Sequence, residues 1–127
     1  MVNSVRKAKG FTLIELMVVL TIIALLLSLA VPRYFKSVDH AREATLHQNL
    51  QIMREAIDKY YGDNDKYPAS LEELVKSHYL KAVPVDPLTD SSETWIVLPP
   101  EEGDGRVFDV KSGAAGKDKN GKAYLDW

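Results

Sequence analysis

The sequence predicts an α+β protein in which one long N-terminal helix carries a small antiparallel head, and three observations predict it. Residues 11–31 are almost wholly apolar. Leu46, Leu50, Met53, Ile57 and Tyr60 recur at spacings of three or four, the repeat of a helix face. Beyond Gly62, short apolar strings alternate with Gly, Pro and Asp, the composition of short strands joined by turns.

The first element is a leader, residues 1–10, with Arg6, Lys7 and Lys9 and no acidic residue. The whole chain of 127 residues has 16 Lys and Arg against 18 Asp and Glu, a formal net charge of −2. Without the leader's three basic residues the remainder holds 13 basic against 18 acidic, a net of −5. That balance is not the footprint of a nucleic-acid binder. No cysteine is present, which excludes thiol catalysis, thiolate zinc and a disulfide framework.

Next comes FTLIELMVVLTIIALLLSLAV, residues 11–31, whose one ionisable group is Glu15. At about 1.5 Å per residue this run crosses the roughly 30 Å hydrocarbon core, and Thr12, Thr21 and Ser28 can bond back to their own helix. Residues 11–32 are therefore read as a single membrane span. Basic residues flank it only on the leader side, which places the leader in the cytoplasm and the chain after Pro32 outside. Ser28 and Ala30 make a weak small-x-small signal, but the run is too long, and continues too directly into a helix, for an ordinary signal peptide.

Pro32 lacks the helical donor and crowds the preceding turn, so it should kink the helix or loosen it. An amphipathic helix then follows over residues 33–62, with Gly62 as its C-cap and Asp63 and Asn64 opening a turn. Together the two stretches give a helix of about 75 Å, longer than a head of this size can cover. Its second half is expected to receive the head on the stripe from Leu46, and its bare first half to face lipid.

The head, residues 63–127, opens with Ser70-Leu71-Glu72-Glu73, a capping box that starts a helix over about 70–77. Tyr67-Pro68 before it and Pro84, Asp86 and Pro87 after it are punctuation. Strands are predicted at about 94–98, 106–110 and 124–127, with a turn from Pro99 to Gly105 between the first two. Trp95, Val97, Val107 and Phe108 are the expected apolar contributions to the helix stripe.

The junction Lys9-Gly10-Phe11-Thr12-Leu13-Ile14-Glu15 places an acid inside the apolar run, which costs at least a few kcal/mol and needs a partner. Lying near the cytoplasmic end, Glu15 could instead reach the headgroups. Gly10 has no Cβ, which leaves the backbone at the junction unobstructed. A basic leader ending in Gly, Phe next, Glu four residues later and about twenty apolar residues in one register resemble the precursors of type IV pilins and type II secretion pseudopilins. The segments YYGDNDKYPASLEELV and VPVDP make the head look most like the major, G-type, pseudopilins.

What the resemblance implies is a filament subunit of the bacterial inner membrane, single-pass, with the head in the periplasm. A prepilin peptidase would cut between Gly10 and Phe11 and methylate the new amine of Phe11. Glu15 would pair with that amine on a neighbouring copy, since a matched carboxylate is tolerated in an apolar core and an unmatched one is not. The implied partners are copies of the chain, other pilin-like subunits, the peptidase, and an inner-membrane assembly platform with its ATPase. Pro32 falls where many members carry a proline.

The glycine-bearing loop 111–125, KSGAAGKDKNGKAYL, is the candidate cofactor site. In the pseudopilins this chain resembles, the corresponding region binds calcium with a denser acidic set, and Asp118 and Asp126 are the candidate ligands here. Lys117, Lys119 and Lys122 intrude, so a plain turn-rich loop stands beside the calcium reading. His40, His47 and His78 are scattered without ligand spacing. No phosphate-binding glycine loop, serine elbow or recognisable carboxylate pair is present, so no enzyme is expected. The alternatives to a pseudopilus subunit are a single-pass anchored binding protein and, within the family, a minor type IV pilin.

Overall fold

The structure is a computed structural model that describes residues 10–102 and 105–127. The predicted leader residues Arg6, Lys7 and Lys9, and Gly103 of the predicted turn, lie outside the described residues. In chain order the elements are α1 (Leu13–Asn64), α2 (Leu71–Lys76), β1 (Ile96–Leu98), β2 (Asp109–Lys111) and a short 3-10 helix (Tyr124–Asp126). The α+β class is as predicted. The chain divides into two compact units, Met1–Val38 and Asp39–Trp127.

In the first unit every described residue up to Ser37 is exposed, and its most apolar window is long enough to cross a membrane. Thr21 Oγ1 and Ser28 Oγ donate to the carbonyls of Met17 and Leu25 at 2.7 Å each, so the hydroxyls are satisfied within the helix, as the sequence leads one to expect. The helix does not loosen at Pro32, since residues on both sides remain helical. A shallow hollow lined by Leu26, Leu29, Ala30, Arg33, Tyr34 and Ser37 lies on this stretch. At about 100° per residue those positions centre on the side away from Pro32.

In the second unit the predicted stripe is the floor of the core. Leu46, Leu50, Met53, Ala56, Ile57 and Tyr60 of α1 are buried together with Leu71, Leu74, Leu80, Trp95, Val107 and Val110. The helix runs past Gly62 to Asn64, and the left-handed residue that ends it is Asp65, at φ 55°. Aspartate tolerates that region far better than most residues, so glycine was not required. Asn64 Nδ2 bonds the Tyr60 carbonyl and the Asp65 amide bonds that of Tyr61, satisfying the last turn.

The capping box at α2 forms with a one-residue offset. Ser70 Oγ accepts from the Glu73 amide at 3.2 Å, while Glu73 reaches back to the amide of Ala69 and its other oxygen accepts from Tyr60 on α1 at 2.8 Å. His78, at φ 64°, closes α2, with the Tyr79 amide returning to the Leu74 carbonyl and the His78 amide to that of Val75, the Schellman arrangement. Glu73's carboxyl is held below its usual range, first by the Ala69 amide and then by Tyr60. A depressed carboxyl contributes stability that is complete above the unfolded-state value of about 4.3 and is lost as pH falls through the lower folded value. Urea midpoints followed by tryptophan fluorescence should therefore fall between about pH 5 and pH 3. Glu73→Gln should flatten that acid limb while costing about 1 kcal/mol at neutral pH.

The sheet is smaller than predicted. β1 and β2 pair antiparallel with Ile96 opposite Lys111, Val97 opposite Val110 and Leu98 opposite Asp109. The predicted strands at 94–98 and 106–110 are thus shortened, and the second is displaced toward Lys111. Trp95 and Val107 are buried as expected, but Val97 and Phe108 are 46 % and 49 % exposed, and Val110 is buried instead. β2 carries the inward residue because Arg54 of α1 holds it there: Nε donates to Asp109 Oδ1 at 2.9 Å and Nη2 to the Val110 carbonyl at 3.0 Å.

The predicted strand 124–127 is instead a 3-10 turn, with the Asp126 amide bonding the Ala123 carbonyl and the Trp127 amide that of Tyr124. In a strand, Tyr124 and Trp127 would point to opposite faces. A three-residue turn brings both rings to one side, where their centroids are 5.4 Å apart.

Candidate processing and assembly site

At the start of α1, Gly10, Phe11 and Thr12 are outside the helix and exposed, Phe11 to 84 %. Thr12 sets the boundary. Its Oγ1 accepts from the Glu15 amide at 3.1 Å and its carbonyl accepts from Leu16 at 3.1 Å, so it is the N-cap. The bond between Gly10 and Phe11 therefore lies in non-helical backbone two residues before the cap, open to another molecule. The sequence reading missed this role of Thr12, although Thr12-x-x-Glu15 is the same pattern as Ser70-x-x-Glu73.

Glu15 occupies the first turn of α1, where the helix dipole favours a negative charge. Its carboxylate has no hydrogen-bond or ion-pair partner among the described residues of the single chain. Gly10, Phe11 and Glu15 are thus brought within one short non-helical segment and one helical turn. Pro32 belongs to the body of the same helix, well away from them in sequence.

At the other end of the chain the candidate calcium ligands do not converge into a cation site. Among the described residues no three His, Cys, Asp or Glu side chains gather where they could hold a metal. Asp118 is already engaged: Oδ1 accepts from the amides of Asn120 at 2.8 Å and Lys122 at 2.9 Å, and Oδ2 from the indole of Trp127 at 3.1 Å. Asp126 is exposed on the 3-10 turn. The residues present do not fit calcium.

Three further groups, all missed in the sequence, tie this end to the rest of the head. Asp86 is fully buried, accepting from Ser112 Oγ at 2.5 Å and from the Leu88 amide at 2.9 Å. Arg54 Nη2 also reaches the main-chain oxygen of Trp127 at 2.7 Å. Tyr124 donates to Glu43 at 2.9 Å, and burial, then this bond, push its hydroxyl up to about 12. Asp86 stands between Pro84 and Pro87 and reads locally as a turn residue; only its distant partner marks it as a core group.

The family described as the prokaryotic N-terminal methylation motif matches residues 5–31. The type II secretion system core protein G of Pseudomonas aeruginosa is 37 % identical over 98 residues, covering 65 % of this chain and 69 % of that protein. Its counterpart in Escherichia coli K12 is 34 % identical over 113 residues, covering 76 % and 77 %. Competence protein ComGC of Halalkalibacterium halodurans is 32 % identical over 72 residues, covering 57 % and 71 %. No solved structure matches. The likeness covers more than two thirds of each of the two secretion proteins, and on that ground the chain belongs to the family of type II secretion system core protein G.

Proposed function

We propose that the chain is a structural subunit of a secretion pseudopilus, cut between Gly10 and Phe11, methylated at the new amine and polymerised from the inner membrane. The observation that carries this reading is the junction itself: an exposed, non-helical Gly10-Phe11 bond followed by a capped apolar helix whose one acid stands in the first turn. Family membership supports it. Before assembly the subunit spans the membrane once, leader inside and head outside, by the one-sided distribution of Arg6, Lys7 and Lys9. A bend at Pro32 turns the helix where it leaves the bilayer.

Removal of residues 1–10 discards three fixed positive charges and creates one cation at Phe11. A methylated amine stays protonated near neutral pH, so that cation is available to Glu15 of a neighbouring copy. The partners on this reading are copies of the chain and other pilin-like subunits, a membrane-embedded peptidase, and the platform and ATPase that drive assembly. Mass spectrometry of the mature N-terminus tests it. Methylated Phe11 is the expected first residue; an intact Met1 would instead make the helix a simple tether for a binding head.

A further inference from the structure

The C-terminal segment of the head has to be held against α1, yet it carries neither a cysteine nor a set of converging carboxylates. Hydrogen bonds hold it at each end and in the middle. Ser112 binds buried Asp86 and in turn receives the Ala114 amide at 3.1 Å. Tyr124 binds Glu43 of α1, and Arg54 of α1 binds the main-chain oxygen of Trp127. Between these points Asp118 organises the loop. It draws in two backbone amides and the Trp127 indole, while its own amide returns to the Lys122 carbonyl at 2.8 Å.

We propose that Asp118 closes this segment by hydrogen bonds in the place where a cation would otherwise gather the loop, so that the head folds and holds its shape independently of calcium. The chemistry of the donor set supports this. A calcium ion takes six to eight oxygens, and both oxygens of Asp118 are committed to N–H donors. Lys119 is turned to α1, its Nζ 3.4 Å from His40 Nδ1, and Lys122 supplies one of the amides. The ammonium groups of Lys117, Lys119 and Lys122 add positive charge to the same loop, which raises the cost of placing a divalent cation there. Tyr124 contributes a neutral hydroxyl to Glu43, so the latch between loop and helix also needs no ion.

The test follows thermal unfolding of the full chain in detergent by tryptophan fluorescence, in a chelator and in about 5 mM calcium chloride, above the roughly 0.1–1 mM range of weak extracellular sites. The expected result is the same Tm in both. Asp118→Asn, whose amide nitrogen cannot accept from the indole, should lower Tm by about 5 °C, again without response to calcium. A rise of several degrees in the unsubstituted chain on adding calcium overturns the proposal, whatever the variant does. An Asp118→Asn chain that melts as the parent does overturns the role given to Asp118.

Discussion

Glu15→Ala should leave cleavage at Gly10 intact and reduce filament yield more than tenfold. On the proposed reading a peptidase would meet Gly10 and Phe11 in exposed backbone, and the Thr12 cap that begins the helix uses the backbone amide of residue 15, which alanine also has. What alanine removes is the carboxylate that the amine of a neighbouring copy would find in the filament core. Leaving one member of a buried pair alone costs about 3–5 kcal/mol. At 1.36 kcal/mol per decade that weakens each subunit contact about a hundredfold or more. Quantitative immunoblotting of sheared filaments beside N-terminal mass spectrometry reads both halves of the expectation.

A substitution by glutamine separates two roles for this side chain. Thr-x-x-Gln serves in a capping box as well as Thr-x-x-Glu does, so a residue needed for the helix start alone would be rescued by Glu15→Gln. A residue needed for its charge would not. Filaments at parental yield from either variant would sink the pairing. Loss in both, with processing intact, is the expected pattern.

What could be read from the sequence divides by the range of the interaction involved. The membrane run, the Leu46 to Tyr60 stripe and the Ser70 cap are local patterns, in which a residue and its neighbours three or four away decide the outcome. The run is helical, the stripe is buried and Ser70 caps α2, as expected. Asp86 with Ser112, Arg54 with Asp109, and Tyr124 with Glu43 join residues 26, 55 and 81 positions apart, and no local spacing announces them. The same contrast explains the sheet. Strands of three residues have too few alternations to fix which face is inward, so Phe108 was expected inside where Val110 is found. At the C-terminus, packing of Tyr124 and Trp127 on one side prevailed over an apolar string that reads equally well as a strand.

Gly113→Ala carries the largest expected cost to the head itself. Gly113 reads in the sequence as one of several loop glycines, and it is exposed, yet an added Cβ would lie 2.2 Å from the carbonyl oxygen of Thr94. Neither side can yield freely. Ser112 beside it is fully buried against Asp86, and Thr94 shares a 2.6 Å hydrogen bond with Thr89 immediately before buried Trp95. Opening that approach strains the backbone or displaces Trp95, an overpacking cost of about 2–3 kcal/mol. For a unit of this size that lowers Tm by about 10–20 °C. Gly62→Ala is the matched control: its Cβ meets nothing within 4 Å, it lies in α1, and the helix should gain about 0.5–1 kcal/mol. Thermal melting of the two variants in detergent should therefore move in opposite directions. A Gly113→Ala chain that melts with the parent would mean that residues 94 and 113 do not approach as described, and that the glycine is there for the loop's flexibility alone.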